Sequence, residues 1–263
     1  NHMTLVRTFK AHNQRITDIE HVRLSRLLAT SSFDGLIRIW DMNTSQLITE
    51  LKDPTVSSHN YKDFGSGFKS MSYATECGGY LLTTGFDQCI SVFGPDTSLS
   101  KSYVGKLEGH SGIVLVCEVF EGTPHCISVD DKFNIRVWDL RTFLTIQIIR
   151  DNIMKSNNIV TALCLLPEQD RFCIGGKRVQ LYNNDATRKN MKDFSAEINP
   201  LTCSLNMYYK VFLVTTKVDM RVYDALTGKL VKVFTNLSDE RMPCEITDMC
   251  IGSRERKMLV CDN

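Results

Sequence analysis

The sequence predicts an all-β protein built from repeated four-stranded units. Five segments share one pattern, in which an apolar strand, a tight turn and an alternating strand end on an aromatic residue: 27–41, 81–94, 126–139, 172–183 and 212–224. The closing aromatic residues lie 53, 45, 44 and 41 residues apart and are Trp40, Phe93, Trp138, Tyr182 and Tyr223. No stretch shows a helical period of useful length, so an α/β fold would lack its crossover helices.

Two further predicted strands flank each of these segments, because β-branched and alternating apolar residues precede and follow it. Four strands at a spacing of about 40 to 50 residues are typical of the blades of a β-propeller. The sequence therefore predicts five blades, blade 1 to blade 5, over residues 16–51, 68–107, 113–149, 159–196 and 201–234.

The predicted propeller is incomplete, with about five and a half blades visible. Residues 246–263 supply part of a sixth blade, and residues 5–10 are interpreted as the outer strand of a preceding blade. Closed propellers contain about four to eight blades. We therefore expect residues 4–263 to form one domain of a seven-bladed parent, or of a larger parent with two propellers, and the polypeptide beyond Asn263 to complete it. Residues 1–3 are interpreted as a cloning remnant.

The composition argues against several partner classes. The 31 lysine and arginine residues nearly balance the 30 acidic residues, so no strong positive field favours nucleic acid. No apolar stretch is long enough to span a bilayer, so membrane insertion is not expected. The ten cysteines lie mostly in apolar runs, which favours reduced thiols in a cytoplasmic protein.

The usual motifs of enzymes and metal sites are missing from the sequence. No two of the six histidines have a metal-ligand spacing, and Cys-x-x-Cys does not occur. Gly175-Gly176-Lys177 lacks the frame of a phosphate-binding loop, and Gly-x-Ser-x-Gly does not occur. We therefore predict no catalytic, cofactor-binding or metal-binding residues and no cofactor.

Two blades carry motifs that resemble the WD-repeat family, and the resemblance covers nearly the whole chain. Trp40-Asp41 and Trp138-Asp139 each end a strand that begins Ile-Arg, and Gly109-His110 precedes the second pair. In this family a His, a Ser or Thr, an Asp and the Trp form a hydrogen-bonded structural network. The resemblance implies one network of His12, Asp34 and Trp40 with Thr30 or Ser32, and one of His110, Ser128, Asp131 and Trp138. Blades 2, 4 and 5 depart from the pattern and should rely more on apolar packing.

The resemblance also implies which residues face partners. Residues before the inner strand of a blade, and those between its second and third strands, line one face in this family. The candidate partner surface is Arg15, Phe33, Phe86, Ile113, Lys132 and Phe133. Exposed aromatic residues grouped on one face would mark an interface, although each phenylalanine could instead fold back onto a neighbouring blade. The irregular segment 53–67 is either a mobile loop or a partner anchor through Tyr61 and Phe64.

The functional hypothesis is a non-catalytic scaffold that binds other proteins or peptides. Residues 130–143 are similar to blades of large multi-propeller proteins of cilia and flagella, which suggests a cytoplasmic, cytoskeletal or ciliary complex. The alternative is a propeller enzyme, or a binder of small molecules or modified peptides, that uses the central channel. Titratable residues with perturbed pKa values converging on the channel would favour the alternative.

Overall fold

The computed structural model describes part of the chain: residues 7–22, 26–55, 67–94, 102–150, 160–166, 171–176, 179–183, 192–194, 201–206, 209–225, 227–235, 246–251 and 258–262. These residues form strands and turns and contain no helix. Accordingly, none of them belongs to a helix that could cross a membrane. The all-β prediction is confirmed, and the strands form antiparallel four-stranded sheets of the propeller-blade type.

The first compact unit spans Asn1–Ile148 and holds three sheets. Blade 1 contains β1 (Ile16–Val22), β2 (Leu27–Ser32), β3 (Ile37–Asp41) and β4 (Leu47–Leu51). Blade 2 contains β5 (Phe68–Ala74), β6 (Tyr80–Gly85), β7 (Ile90–Phe93) and β8 (Tyr103–Leu107). Blade 3 contains β9 (Val114–Val119), β10 (His125–Asp130), β11 (Asn134–Asp139) and β12 (Leu144–Arg150). In each sheet the strands pair in chain order.

The second compact unit spans Ile149–Asn263. Blade 4 contains β13 (Ala162–Leu166), β14 (Arg171–Gly175), β15 (Val179–Asn183) and β16 (Lys192–Phe194). Blade 5 contains β17 (Thr202–Asn206), β18 (Val211–Thr215), β19 (Asp219–Asp224) and β20 (Leu230–Thr235). A two-stranded sheet of β21 (Ile246–Ile251) and β22 (Met258–Asp262) follows.

Both faces of blade 2 are buried, which explains the continuous apolar run of β6. Leu81 packs in a cluster with Ile37 of blade 1, whereas the adjacent Leu82 packs in a cluster with Cys117 of blade 3. Successive residues of a strand project to opposite faces, so one strand supplies side chains to both clusters. The inner strands β1, β5 and β9 lie side by side within this unit.

Two predicted segments differ from the structure or lie outside it. Residues 7–10 of the predicted outer strand 5–10 are described and form no strand, and no strand in the described part of the chain pairs with them. Residues 5 and 6 lie outside the described part. Of the irregular segment 53–67, only residues 53–55 and 67 are described, so Tyr61 and Phe64 fall outside it.

Candidate functional site

A buried hydrogen-bonded network joins two strands, a turn and the segment before the first strand of blade 1. The Nδ1 atom of His12 lies 2.9 Å from Oδ2 of Asp34, and its Nε2 atom lies 2.8 Å from Oγ1 of Thr30. The indole Nε1 of Trp40 donates to the same threonine oxygen at 3.0 Å. The sequence analysis allowed either Thr30 or Ser32 as the network hydroxyl, and in the structure it is Thr30. Ser32 instead accepts a hydrogen bond from the amide of Asp34 at 3.1 Å.

Blade 3 repeats this geometry with a serine in place of the threonine. His110 places Nδ1 3.0 Å from Oδ2 of Asp130 and Nε2 2.6 Å from Oγ of Ser128. Trp138 donates through Nε1 to the serine oxygen at 2.8 Å. The imidazole and the indole thus share one hydroxyl, whose oxygen can accept from one partner while its proton is donated to the other.

The carboxylate of this network belongs to Asp130 and not to Asp131, which the sequence analysis had placed there. Residues two apart in a strand project to the same face, so Ser128 and Asp130 both point toward His110. Asp130 is fully buried, whereas Asp131 is exposed in the turn that follows. The longer turn therefore lies entirely after the network residue.

Four residues lie at the turn end of blades 1 and 2, and we call them the turn surface: Arg15, Phe33, Lys69 and Phe86. The rings of Phe33 and Phe86 are half-buried and their centroids lie 6.3 Å apart. The ammonium nitrogen of Lys69 lies 4.9 Å from the centre of the Phe86 ring, within the range of a cation–π contact. The exposed Arg15 is tied to Phe33, whose amide donates to its carbonyl oxygen at 3.1 Å.

The remaining candidate partner residues lie at the same end of blade 3, and one of them is not a surface residue. Phe133 is only 6% exposed and adopts a φ of 60°, so its ring folds back into the blade. The prediction that it faces a partner is corrected because its left-handed turn conformation turns the ring inward. Lys132 is exposed and donates from Nζ to the carbonyl of Ser111, and Ile113 is half-buried.

Comparison with known proteins gives matches that agree with this architecture. The family model described as WD domain, G-beta repeat, matches residues 3–41. Cilia- and flagella-associated protein 337 B of Tetrahymena thermophila is 25% identical over 256 residues, which is 96% of this chain and 19% of that protein. These matches and the four-stranded sheets support the WD-repeat family for this chain. WD-repeat proteins generally act as scaffolds for protein interactions and are generally not enzymes.

Two further relatives match over shorter lengths. U3 small nucleolar RNA-associated protein 21 homolog of Schizosaccharomyces pombe is 34% identical over 84 residues, 32% of this chain and 8% of that protein. Guanine nucleotide-binding protein subunit beta-1 of Drosophila melanogaster is 25% identical over 170 residues, 64% of this chain and 45% of that protein. The chain thus aligns with less than half the length of each of these three relatives.

Blade 2 contains a charged network that the sequence analysis missed. Asp53 is 2% exposed and accepts hydrogen bonds from Ser91 at 2.6 Å and from the Thr55 hydroxyl at 2.7 Å. Lys106 lies 3.0 Å from Asp53 and also forms an ion pair with Asp87. Burial opposes ionisation of both central groups, but these contacts outweigh it, lowering the pKa of Asp53 and raising that of Lys106.

This charged network accompanies the loss of the usual one. Thr83 pairs across the sheet with Ser91, which lies two residues before Phe93. Ser128 likewise pairs with the residue two positions before Trp138. The register thus places Thr83 at the position of the network hydroxyl, but Phe93 has no indole to donate. The Thr83 hydroxyl is buried without a hydrogen-bond partner in the described part of the chain. Two residues could have signalled this network in the sequence. Lys106 lies in the outer strand of blade 2, and Asp53 follows directly after the outer strand of blade 1.

Blades 4 and 5 replace the network hydroxyl by apolar residues. Ile174 pairs with the residue two positions before Tyr182, and Val214 pairs with the residue two positions before Tyr223. Both therefore hold the register position of the network hydroxyl. Tyr182 stacks on Phe172 with ring centroids 5.1 Å apart and donates its hydroxyl proton to Gln180 at 3.1 Å. These two blades therefore rely on apolar packing at that position.

Replacing Asp130 by asparagine is expected to reduce the acid sensitivity of the protein. Burial favours the protonated carboxyl, but hydrogen bonds from His110 and Asn134 lower the pKa of Asp130 from 3.8 to about 2. A depressed folded-state pKa contributes stability above the unfolded value, here about 2 kcal/mol, which is lost as the pH falls from about 4 to about 2.

Urea unfolding at several pH values between 6 and 3 checks this expectation. The stability difference between the wild type and Asp130→Asn should narrow below about pH 4. Asp131→Asn, which changes the exposed neighbour, should track the wild type at every pH. A difference for Asp130→Asn that stays constant on acidification would contradict the assigned role of this carboxylate.

Proposed function

We propose that this WD-repeat chain is a non-catalytic scaffold whose turn surface binds a protein partner in a cytoplasmic or ciliary complex. The half-buried Phe33–Phe86 pair, with the Lys69 ammonium over the Phe86 ring, is the observation that carries the proposal. A relative whose name associates it with cilia and flagella aligns with 96% of the chain and supports the cellular setting.

The turn surface is held in place before any partner binds. A methyl group added at Gly67 would lie 2.6 Å from the Cα of Phe33, so only glycine permits this close approach. Together with the amide hydrogen bond from Phe33 to Arg15, this contact fixes the backbone under the ring. A surface that is already ordered loses little conformational entropy on binding, which favours affinity.

The chemistry of the turn surface favours a segment with both apolar and acidic side chains. The two rings offer an apolar contact, and aromatic residues are enriched among the residues that dominate binding energy. Lys69 places a positive charge over the Phe86 ring, and the exposed Arg15 adds a second cation at this end of blade 1, which would steer and orient carboxylates of the partner. We therefore expect the partner to contribute an apolar anchor flanked by aspartate or glutamate.

The proposal predicts that Phe33→Ser and Phe86→Ser each weaken partner binding by about tenfold or more, the loss typical of an interface hot spot. The tagged chain and its variants would be used to purify partners from ciliated cells, with bound proteins quantified by mass spectrometry. Thermal unfolding of each variant would show that the blades remain folded.

Met42→Ser supplies a matched control, because Met42 is 52% exposed and lies in the turn after β3, at the other end of blade 1. Partners that are lost with both phenylalanine variants and kept with Met42→Ser support the turn surface. Partners that survive both phenylalanine changes would refute it. Phe133 is unsuited to this experiment, because its buried ring would report on folding.

A further inference from the structure

The outer strand of blade 3 presents a row of apolar side chains to solvent, which we call the apolar stripe. In β12 the side chains of Leu144, Ile146 and Ile148 are 67%, 55% and 43% exposed. Successive residues of a strand project to opposite faces, so these three share one face. Single exposed aliphatic residues are common on protein surfaces, but apolar residues grouped on one face mark an interaction site.

Contacts within the first unit hold the start of β12 in place. The hydroxyl of Thr145 accepts a hydrogen bond from Nη1 of Arg136 at 3.0 Å. Phe143, just before the strand, packs so closely on Gly105 of blade 2 that an added Cβ would lie 3.3 Å from its ring. The centroid of the same ring lies 6.3 Å from that of Tyr80. The apolar stripe is therefore ordered before anything binds to it, which lowers the entropic cost of binding.

The strand that carries the apolar stripe also has an open edge. β12 is the last strand of its sheet and pairs with β11 alone among the described strands. A strand at the edge of a sheet presents unpaired backbone N–H and C=O groups along its outer side. An extended segment is the partner that meets both features, because its backbone completes the ladder while its side chains pack on the stripe.

Three other outer strands carry charges that discourage such pairing, and β12 does not. Glu50 lies in β4, Lys106 in β8 and Lys232 in β20, and charged residues are a common protection of strand edges. β12 is seven residues long and has no charged residue before its last, Arg150. The other three strands are five, five and six residues long. β12 is therefore the longest and the least protected of these four edges.

The area of the apolar stripe indicates what kind of partner fits. Fully burying one leucine or isoleucine side chain removes roughly 60–120 Å² of apolar surface from water, so three such residues offer at most about 350 Å². Each folded partner in a stable interface contributes about 800 Å². The stripe is thus too small to hold a second folded copy of the chain. An extended segment needs less apolar area, because backbone hydrogen bonds along the edge add to its binding.

We propose that β12 binds an extended segment of a protein partner, which adds as a fifth strand to the outer edge of blade 3. Side chains at alternate positions of that segment lie beside Leu144, Ile146 and Ile148, so they are aliphatic. The centre of the segment is uncharged, because β12 offers it no opposite charge before Arg150. The site shares no residue with the turn surface and does not depend on it.

The test uses the whole chain and a capped peptide with alternating valines, acetyl-Lys-Thr-Val-Thr-Val-Thr-Val-Thr-Lys-amide. The matched peptide has proline in place of the central valine, which removes a backbone donor and interrupts a strand. Binding is followed by NMR chemical shifts and amide hydrogen exchange of isotope-labelled protein. We expect a dissociation constant on the order of 0.1–1 mM for so small a ligand. The shifts and the slowed exchange should map to β12, and the proline peptide should produce neither.

One substitution in the apolar stripe has a matched control in another blade. Ile146→Lys places a charge at the centre of the stripe and should weaken peptide binding at least tenfold, because aliphatic side chains of the peptide would desolvate the ammonium. Ile48→Lys makes the same change in β4, the outer strand of blade 1, where Ile48 is 43% exposed. This control should bind like the wild type. Thermal unfolding confirms that both variants are folded.

Several results would overturn the proposal. These are equal binding of the proline peptide, absence of saturable shifts at β12, or undiminished binding by Ile146→Lys. A dimer in sedimentation that is lost in Ile146→Lys and kept in Ile48→Lys would reassign the apolar stripe to a second copy of the chain. Phe33→Ser should bind the peptide normally, so failure of this proposal and failure of the turn-surface proposal are distinguishable.

Discussion

Replacing Ser128 by alanine is expected to lower the free energy of unfolding by about 2–4 kcal/mol. The serine oxygen lies 2.8 Å from the indole nitrogen of Trp138 and 2.6 Å from Nε2 of His110, and the serine is fully buried. Alanine would leave both ring groups without their partner in a site closed to water. Each buried group that loses its hydrogen bond costs about 1–3 kcal/mol. Urea or guanidinium unfolding of the purified variant measures the loss.

Blade 2 provides the matched control for this experiment. Thr83 holds the same register position, but its hydroxyl is buried without a partner among the described residues. Thr83→Val therefore exchanges an unsatisfied hydroxyl for a methyl group and should leave the stability within about 1 kcal/mol of the wild type or raise it. Equal losses for Ser128→Ala and Thr83→Val would show that the hydrogen-bonded network contributes nothing beyond packing.

Replacing Lys106 by methionine is expected to destabilise the protein by about 3–5 kcal/mol. Methionine keeps most of the apolar stem but removes the ammonium group that pairs with Asp53 and Asp87. Asp53 is 2% exposed, so its carboxylate would remain buried without its cation. Removing one partner of a buried ion pair costs more than the pair contributes, because the remaining charge is uncompensated.

The pH dependence of this loss identifies its cause. In the wild type the depressed pKa of Asp53 contributes stability above the unfolded value of 3.8, and this contribution falls away at lower pH. In Lys106→Met the ammonium no longer lowers that pKa, so the carboxyl takes up a proton more readily on folding. The stability difference between wild type and variant should therefore narrow as the pH falls toward about 4.

The exposed pair of Arg141 and Asp139 supplies the control for Lys106. Arg141 Nη2 lies 2.7 Å from the carboxylate, but the arginine side chain is 62% exposed. Surface ion pairs contribute about 0–1 kcal/mol, so Arg141→Met should have a small effect. A loss for Lys106→Met no larger than that for Arg141→Met, or one that is independent of pH, would refute the charged network as a source of stability.

Local features predicted the repeat and much of the first network. Trp40 and Trp138 mark the ends of strands at a regular spacing, and period-2 alternation is a property of the strand itself. The resemblance placed His12, Asp34 and Trp40 in one network, and the structure brings these three together around Thr30. Such features need only the local chain and a repeat length to be recognised.

The tertiary structure decided what depends on register and on distant segments. Adjacent Asp130 and Asp131 are chemically identical in the sequence, and only the point where β10 ends fixes which one points at His110. Asp53 meets Ser91 across 38 residues of chain, so no local period connects them. Phe133 is buried and has a positive φ, and the pattern of side chains in the sequence does not predict this backbone conformation.

By itself, therefore, the sequence determined that the chain repeats as four-stranded blades, because hydrophobic periodicity and the spacing of aromatic residues are properties of the chain read in order. Only the tertiary structure decided which residues form the turn surface and the charged network of Lys106. The physical reason is that these sites join residues from neighbouring blades, and their contacts depend on strand register and on packing between sheets.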